Sequence, residues 1–495
     1  MDSLNDFALG SAHLEGGRFA EAVGCLGRVL GLEPDHAEAQ RKLGLALHGF
    51  GSQLVRNGQW DQAVVCFRLA LPYRPEAALY VELGDVLQAQ GLRQEAIVAF
   101  EKAVALEPEG LDALLRLGAI YAAVNQAGPA SKWYRWALAL DPDLLEANFN
   151  LAALLEGQAR LAEAQIHKKR LPRPLPLVVE TAPEERLRVL VPWGAGSGNV
   201  PIDTLMPRAT TTRIKWFVEC STDEQEAQLP PFDVVFNGIG NADLAGFSLA
   251  RLTAFQARQP MLNPPDRVMR TRRDRMPELL GDLPGVLVPP VARLDRAEAL
   301  EADLEARLAG QGLTLPLLVR PISTQGGKGA VKVAASGELP GAVASDADAF
   351  YFIGFHDFHS ADGCYRKYRM IYVDRRPYPY HLAIADAWLV HYQTAHMREL
   401  PWKREEERRF LEDPRAALGE GPYRALEAIG RRLDLDYGGI DFTVLPDGRI
   451  LVFEANATML VHLEEDAADH PDKHVAVPAI YRAFDAMLER ARRHP

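Results

Sequence analysis

Two carboxylates near the C-terminal end are spaced so that one tight turn brings them face to face. In DYGGIDFTVLPDGRILVFEANATM, residues 436–459, two β-rich runs at 440–445 and 450–455 flank Pro446-Asp447-Gly448-Arg449. Asp-Gly between apolar runs is a strong short-range hairpin signal. A two-residue turn at Asp447-Gly448 pairs Leu445 with Ile450, Thr443 with Val452, and Asp441 with Glu454. Directly opposed residues in an antiparallel pair have Cβ atoms about 5 Å apart, and like charges there destabilise the sheet. Asn456 returns to the same face because side chains alternate along a strand, while Phe442, Val444, Leu451 and Phe453 form an apolar second face. Such an acid pair needs a cation or a shared proton. Two carboxylates and an amide oxygen are hard donors that suit Mg²⁺. The plainer alternative is a solvated edge hairpin whose acids merely repel.

Asp, then Glu thirteen residues on, then Asn two further, with Glu-Ala-Asn closing a strand, resembles the magnesium site of the ATP-grasp superfamily. That resemblance spans about residues 187–490 and implies ATP and Mg²⁺ as cofactors, with Asp441, Glu454 and Asn456 as metal ligands. Upstream, Gln325-Gly326-Gly327-Lys328-Gly329 lies between strands expected at 315–320 and 330–333. Its glycines let backbone amides approach phosphate oxygens, and the lysine adds charge. In the family's order this loop covers the nucleotide, which makes Gln325, Gly326, Gly327 and Lys328 nucleotide-binding candidates. Where the family usually carries phosphate-contacting lysines, this chain has Arg275 and Arg320, which keep the charge in a planar fork. Residues 350–358 correspond to the strand and linker beside adenine, with Asp357 toward the ribose. Arg366-Lys367-Tyr368-Arg369 resembles the family's Asp-x-Arg strand, with Arg369 toward the transferred phosphoryl and Lys367 where the acid is expected. His381 falls on the substrate side, and Arg369, Lys328 and His381 are the catalytic candidates. Each has a structural alternative: a solvated arginine at 275, a charge-protected edge strand at 366–369, a hydrogen-bonded core histidine at 381.

These residues need elements to hold them, and the 495-residue length is enough for about three domains. A net charge of −12 gives no global basic field and argues against nucleic acid as a partner. Cys25, Cys66, Cys220 and Cys364 are far apart with no CxxC spacing, as expected of reduced thiols in a cytoplasmic protein. No signal-peptide pattern or 18-residue apolar run occurs, so no membrane association is expected.

The first third repeats. Gly10, Ala22 and Pro34 share their spacing with Gly51, Ala63 and Pro75, with Gly84, Ala96 and Pro108, and with Gly118, Ala130 and Pro142. Apolar residues fall at helical intervals between these markers, and the pattern resembles the tetratricopeptide repeat of helix–turn–helix units. The longer span from Pro34 to Pro75 predicts a first helix extended by about two turns. A fifth unit fades at the basic residues 167–170, as a cap would. The expected fold is an all-α tetratricopeptide solenoid followed by an α/β (α+β) ATP-grasp fold. Its domains are repeats over 1–168, a Pro-rich linker over 169–186, an N-terminal α/β subdomain over 187–300 and the nucleotide- and metal-binding subdomains over 301–495. Gly194-Ala195-Gly196-Ser197-Gly198-Asn199 follows a strand but lacks the dinucleotide-binding order, and Pro201 stands where a phosphate-cradling helix starts.

The combined reading is an ATP- and Mg²⁺-dependent carboxylate–amine ligase acting through an acylphosphate. Its substrate is peptide- or protein-linked and recruited by the repeat groove, with a small-molecule co-substrate. Trp133 and Trp136 are groove or core aromatics. The alternatives are a phosphotransferase on the same scaffold, a repeat scaffold with a nucleotide-sensing C-terminal half, and repeats that serve as a homodimerisation or rigidifying module. Members resembling D-Ala-D-Ala ligase carry an arginine two residues before the metal aspartate; here that residue is Gly439.

Overall fold

The spaced glycines of the first third make room for rings. A side chain at Gly51 or Gly84 would run into the Phe67 or Phe100 ring, and one at Gly118 into Tyr134, each seated sixteen residues later on the partner helix. Ala22, Ala63, Ala96 and Ala130 are fully buried where the paired helices approach. The marker triplets are therefore a packing code: glycine admits the ring, or Leu26 at Gly10, alanine the close approach, and proline follows the helix end. The computed structural model describes residues 2–324, 326–397, 399–463 and 472–493, and the chain divides into compact units Met1–Leu151 and Ala152–Pro495. In the first unit, antiparallel pairs run from Asp2–Glu15 with Phe19–Leu32 to Leu111–Ala123 with Ala127–Leu140. Ala37–Arg56 is 20 residues long against 13 for Ala77–Ala89, which is the two-turn extension that the wider Pro spacing predicts.

The boundary between units falls inside the helix Leu145–Gly157, so residues 152–168 count with the second unit rather than with the repeats. Their chemistry explains this. Glu156 is fully buried, pairs with Lys168, and accepts from Ser197 N–H at 2.7 Å and Ser197 Oγ at 3.0 Å. Lys168 also reaches Glu219 at 2.8 Å. The Gly194–Asn199 stretch is thus a structural loop on Glu156, and burial of this ion cluster ties the helix Leu161–Lys169 to the α/β scaffold.

Three sheets make up the second unit. In the first, Leu187–Trp193 runs parallel to Thr211–Phe217 and to Val234–Val235, with Val178–Glu180 antiparallel at the edge. The second is antiparallel and ordered Val291–Asp295, Ala349–Gly354, Leu317–Pro321, Val331–Val333. The third is ordered Arg376–Ala385, Tyr365–Val373, Tyr437–Val444, Ile450–Asn456 and Val286–Leu287. The closing helix Lys473–Arg493 buries Phe484 against Phe236 and Tyr437, joining the first and third sheets in one apolar cluster. Pro401–Glu412 is more than a surface helix, since it buries Lys403, Glu407, Phe410 and Leu411. Among the described residues no helix is long and apolar enough to cross a membrane.

Candidate functional site

Asp441 and Glu454 do face each other, although the turn differs from the two-residue count. Near the turn the pairing is Val444 with Ile450 and Thr443 with Leu451, one residue off the expected register. A bulge between Asp441 and Phe442 then takes up the extra residue and restores Asp441 opposite Glu454. Bulges commonly re-aim side chains beside functional sites. Tyr365–Val373 pairs on the other side, setting Arg369 beside Asp441, and Arg376–Ala385 sets His381 beside Arg369.

Arginines answer the acids. Arg369 donates from Nε and one amino nitrogen to the two Asp441 oxygens at 2.6 and 3.0 Å, and Lys367 approaches within 3.5 Å. Arg273 donates to Glu454 Oε2 and, at 3.2 Å, to the Phe453 carbonyl, while Arg320 lies 4.0 Å from Glu454. Burial pushes the Asp441 carboxyl up, but Arg369 and Lys367 outweigh it and hold it at about 2. Glu454 is likewise raised by burial yet held below the usual range, chiefly by Arg273. Burial and the neighbouring Arg273 pull the Arg320 guanidinium down to about 9, still protonated at neutral pH. Its amino nitrogen bonds Thr324 Oγ1 at 3.0 Å and the Thr324 carbonyl, but its buried Nε finds no partner among the described residues.

These groups line a cavity of about 680 Å³. Its lining also includes the apolar Val288, Leu318, Ile353, Phe355, Phe358 and Leu451. Residues of two loops contribute as well. Gly326 and Gly327 take φ of +62° and +73°, where side chains are disfavoured, and they adjoin His391 and Leu389. His381 is buried and stacks on Tyr392 with ring centroids 4.9 Å apart. Burial, then Arg369 and Lys473, push its pKa well below the usual value, so the imidazole is neutral at pH 7. Lys473 lies over the Tyr392 ring at 3.8 Å. Glu407 accepts from Tyr392 Oη at 3.1 Å, and burial raises it to about 7 against the pull of Lys473.

Of the residues singled out in the sequence, the fold brings Arg320, Gly326, Gly327, Arg369, His381, Asp441 and Glu454 to this cavity. Gln325 lies outside the described residues. Lys328 is exposed on the glycine loop, clear of the lining. Arg275 is exposed as well, and Arg273 reaches the site instead, because the short 3₁₀ turn Arg273–Arg275 aims its first arginine inward. Asp357 is exposed and pairs with His359 at 3.0 Å, while its neighbours Phe355, His356 and Phe358 face the cavity. Asn456 follows Glu454 on the same strand, but its Oδ1 accepts from Thr458 N–H at 3.0 Å and Thr458 Oγ1 at 3.1 Å, and the residue does not line the cavity. Arg273, Lys473, Tyr392 and Glu407 were not identified as site residues. The sequence run TRRDR, residues 271–275, offers three arginines and no periodicity to choose between them. Gly439 has no room for a side chain, since a Cβ would stand 2.8 Å from both the Met370 carbonyl oxygen and Met459 Cγ.

The buried Asp441 and partly buried Glu454 carboxylates on one face fit a hard divalent cation, whose remaining positions suit water and phosphate oxygens. Among the described residues no group of three or more His, Cys, Asp or Glu gathers as a metal site, so such an ion would draw chiefly on this pair.

Residues 7–53 and 77–109 match models of the tetratricopeptide repeat, and the N-terminal helical unit is a region of such repeats. A search of curated proteins found none that matches. Among solved structures, the MamA protein is 22% identical over 34% of this chain and 89% of its own, with a TM-score of 0.28. MamA from Desulfovibrio magneticus RS-1 is 22% identical over 34% and 92%, at 0.27. D-alanine–D-alanine ligase from Bacillus anthracis is 16% identical over 62% of this chain and 98% of its own, at 0.40. At these scores the likenesses carry no functional weight.

Proposed function

We propose that residues 152–495 form an ATP- and Mg²⁺-dependent ligase of the ATP-grasp type, and that the repeats recruit its peptide- or protein-linked substrate. The observation that carries this reading is the opposed pair of buried Asp441 and partly buried Glu454, with Arg273, Arg320, Lys367 and Arg369 around them in a cavity that also has apolar lining. The apolar lining suits a nucleobase. The cations suit a polyphosphate, and the unpartnered Arg320 Nε is a buried donor awaiting an anion. Asp441 and Glu454 would hold Mg²⁺, which would supply charge neutralisation at the phosphates.

A substrate carboxylate oxygen attacks the γ-phosphorus, the bond to the ADP oxygen breaks, and an acylphosphate forms. An amine nitrogen then attacks the acyl carbon, phosphate leaves, and the amine loses a proton. Arg320 and Arg273 hold phosphate oxygens, and Arg369 steadies the transferring group. The glycine loop, with Gly326 and Gly327 in the cavity lining, covers the phosphates. The neutral ring nitrogen of His381 takes the amine proton. The contribution of these residues is positioning and electrostatic stabilisation. Gly439 favours a second reading, phosphorylation without ligation, because no arginine can stand there to steady a tetrahedral intermediate.

Incubating the full chain with ATP, Mg²⁺ and candidate acceptors, then reading product mass, tests this directly. Loss of water from two joined substrates supports ligation, added phosphate supports the kinase reading, and unchanged substrates contradict both. A chain starting at residue 145, which keeps the Glu156–Lys168 cluster, should retain turnover while KM for a peptide substrate rises roughly tenfold through lost tethering. An unchanged KM would remove the recruiting role.

A further inference from the structure

Each carboxylate of the pair already has a guanidinium on it. Arg369 grips both oxygens of Asp441, and Arg273 holds Glu454 Oε2. A hard divalent cation binds through those same carboxylate oxygens, and in a buried site a second positive group on the same acid is repelled. Arg320 at 4.0 Å and Lys367 at 3.5 Å bring the count to four cations around two acids. Electrostatics therefore opposes adding a divalent ion alone. The same cluster favours adding a polyphosphate, and the Arg320 Nε that is buried without a hydrogen-bond acceptor points the same way. Only metal and polyphosphate together let every charge find an opposite one.

We propose, building on the nucleotide-dependent function above, that Arg273 and Arg369 are exchangeable counter-ions. They neutralise Glu454 and Asp441 until metal and nucleotide arrive together, then pass from the carboxylates to the phosphate oxygens. Arg273 is thereby a nucleotide-binding residue that also restrains the metal site. Its backbone sits on the short turn Arg273–Arg275, so the exchange needs only rotation about side-chain bonds.

A residue with this double role has effects of opposite sign on the two ligands. Arg273→Gln should tighten Mn²⁺ alone, because Glu454 loses its competing cation. The same variant should weaken ATP in EDTA, because the phosphates lose a donor. A purely structural role weakens both. On the full chain, Mn²⁺ uptake read by electron paramagnetic resonance and metal-free ATP uptake read by calorimetry should each move about tenfold, the scale of one charge-assisted hydrogen bond. Affinities that fall together overturn the proposal, as does Mn²⁺ uptake that Arg273→Gln leaves unchanged. Wild-type protein decides the matter if the variant does not fold. Mn²⁺ alone should bind it no tighter than about 1 mM, the weak end of carboxylate cation sites, and binding near about 10 µM overturns the exchange. Failure of the underlying function looks different: wild-type protein then takes up no ATP with or without metal.

Discussion

The two units bury very different chemistry. Asn148 is the single polar residue buried as a whole among the described residues of the repeat unit, whose interior is otherwise alanine, aliphatic, cysteine and aromatic side chains. The second unit buries Arg213, Arg320, His381, Lys403, Glu407 and Asp441, among others. Apolar interiors gain stability from area removed from water and tolerate little change of shape. Buried ions gain little net stability from their pairing but lose much when one partner is removed. The repeat unit is thus a scaffold sensitive to volume, and the second unit a site sensitive to charge.

The largest effect that would break this comparison is on stability. Asp441→Asn strands Arg369, and the second unit should lose about 3–5 kcal/mol, read by hydrogen exchange, while amides of residues 2–151 keep their protection. Protection lost equally in both units would mean that the contrast is false. Glu454→Gln should cut ATP-dependent turnover roughly a hundredfold or more, the scale of one electrostatic stabiliser, and wild-type turnover would remove Glu454 from the chemistry. Gly118→Leu tests the other side. Overpacking against the Tyr134 ring should cost about 2 kcal/mol, confined to the repeats, with ATP affinity unchanged.

The last effect sharpens the comparison through pH. Glu407 titrates at about 7 in the folded chain against an ordinary 4.5, so between those values the folded state keeps a proton that the unfolded state releases. Stability of the second unit should therefore fall as pH rises from about 4.5 to 7 and level off above, by about 3 kcal/mol. Glu407→Gln should flatten that slope, seen in thermal melts between pH 5 and 8; an unchanged slope would place its origin elsewhere.

What could be read from the sequence follows the same division. Contacts in the repeats are local and periodic, so Gly84, Ala96 and Pro108 announce their helices without reference to distant chain. The acid pair was legible because a hairpin is also local, although the Asp441–Glu454 pairing survives only because a bulge offsets the shifted turn. Arg273 was not legible. It meets Glu454 across 181 residues of sequence, and which arginine of TRRDR turns inward is set by the 3₁₀ turn after Arg272. Asp357 and Lys328 have suitable chemistry in the right segments, but solvent claims both side chains, a choice between strand faces and loop sides that tertiary packing makes.

The most direct measurement is calorimetric titration of the full chain with ATP, in Mg²⁺ and in EDTA, for wild-type protein and Glu454→Gln. Wild-type protein should bind ATP more tightly in Mg²⁺, and the variant should lose that difference while still binding ATP. Wild-type binding that is indifferent to Mg²⁺, or a variant that keeps the full Mg²⁺ dependence, would contradict the assignment of this carboxylate pair.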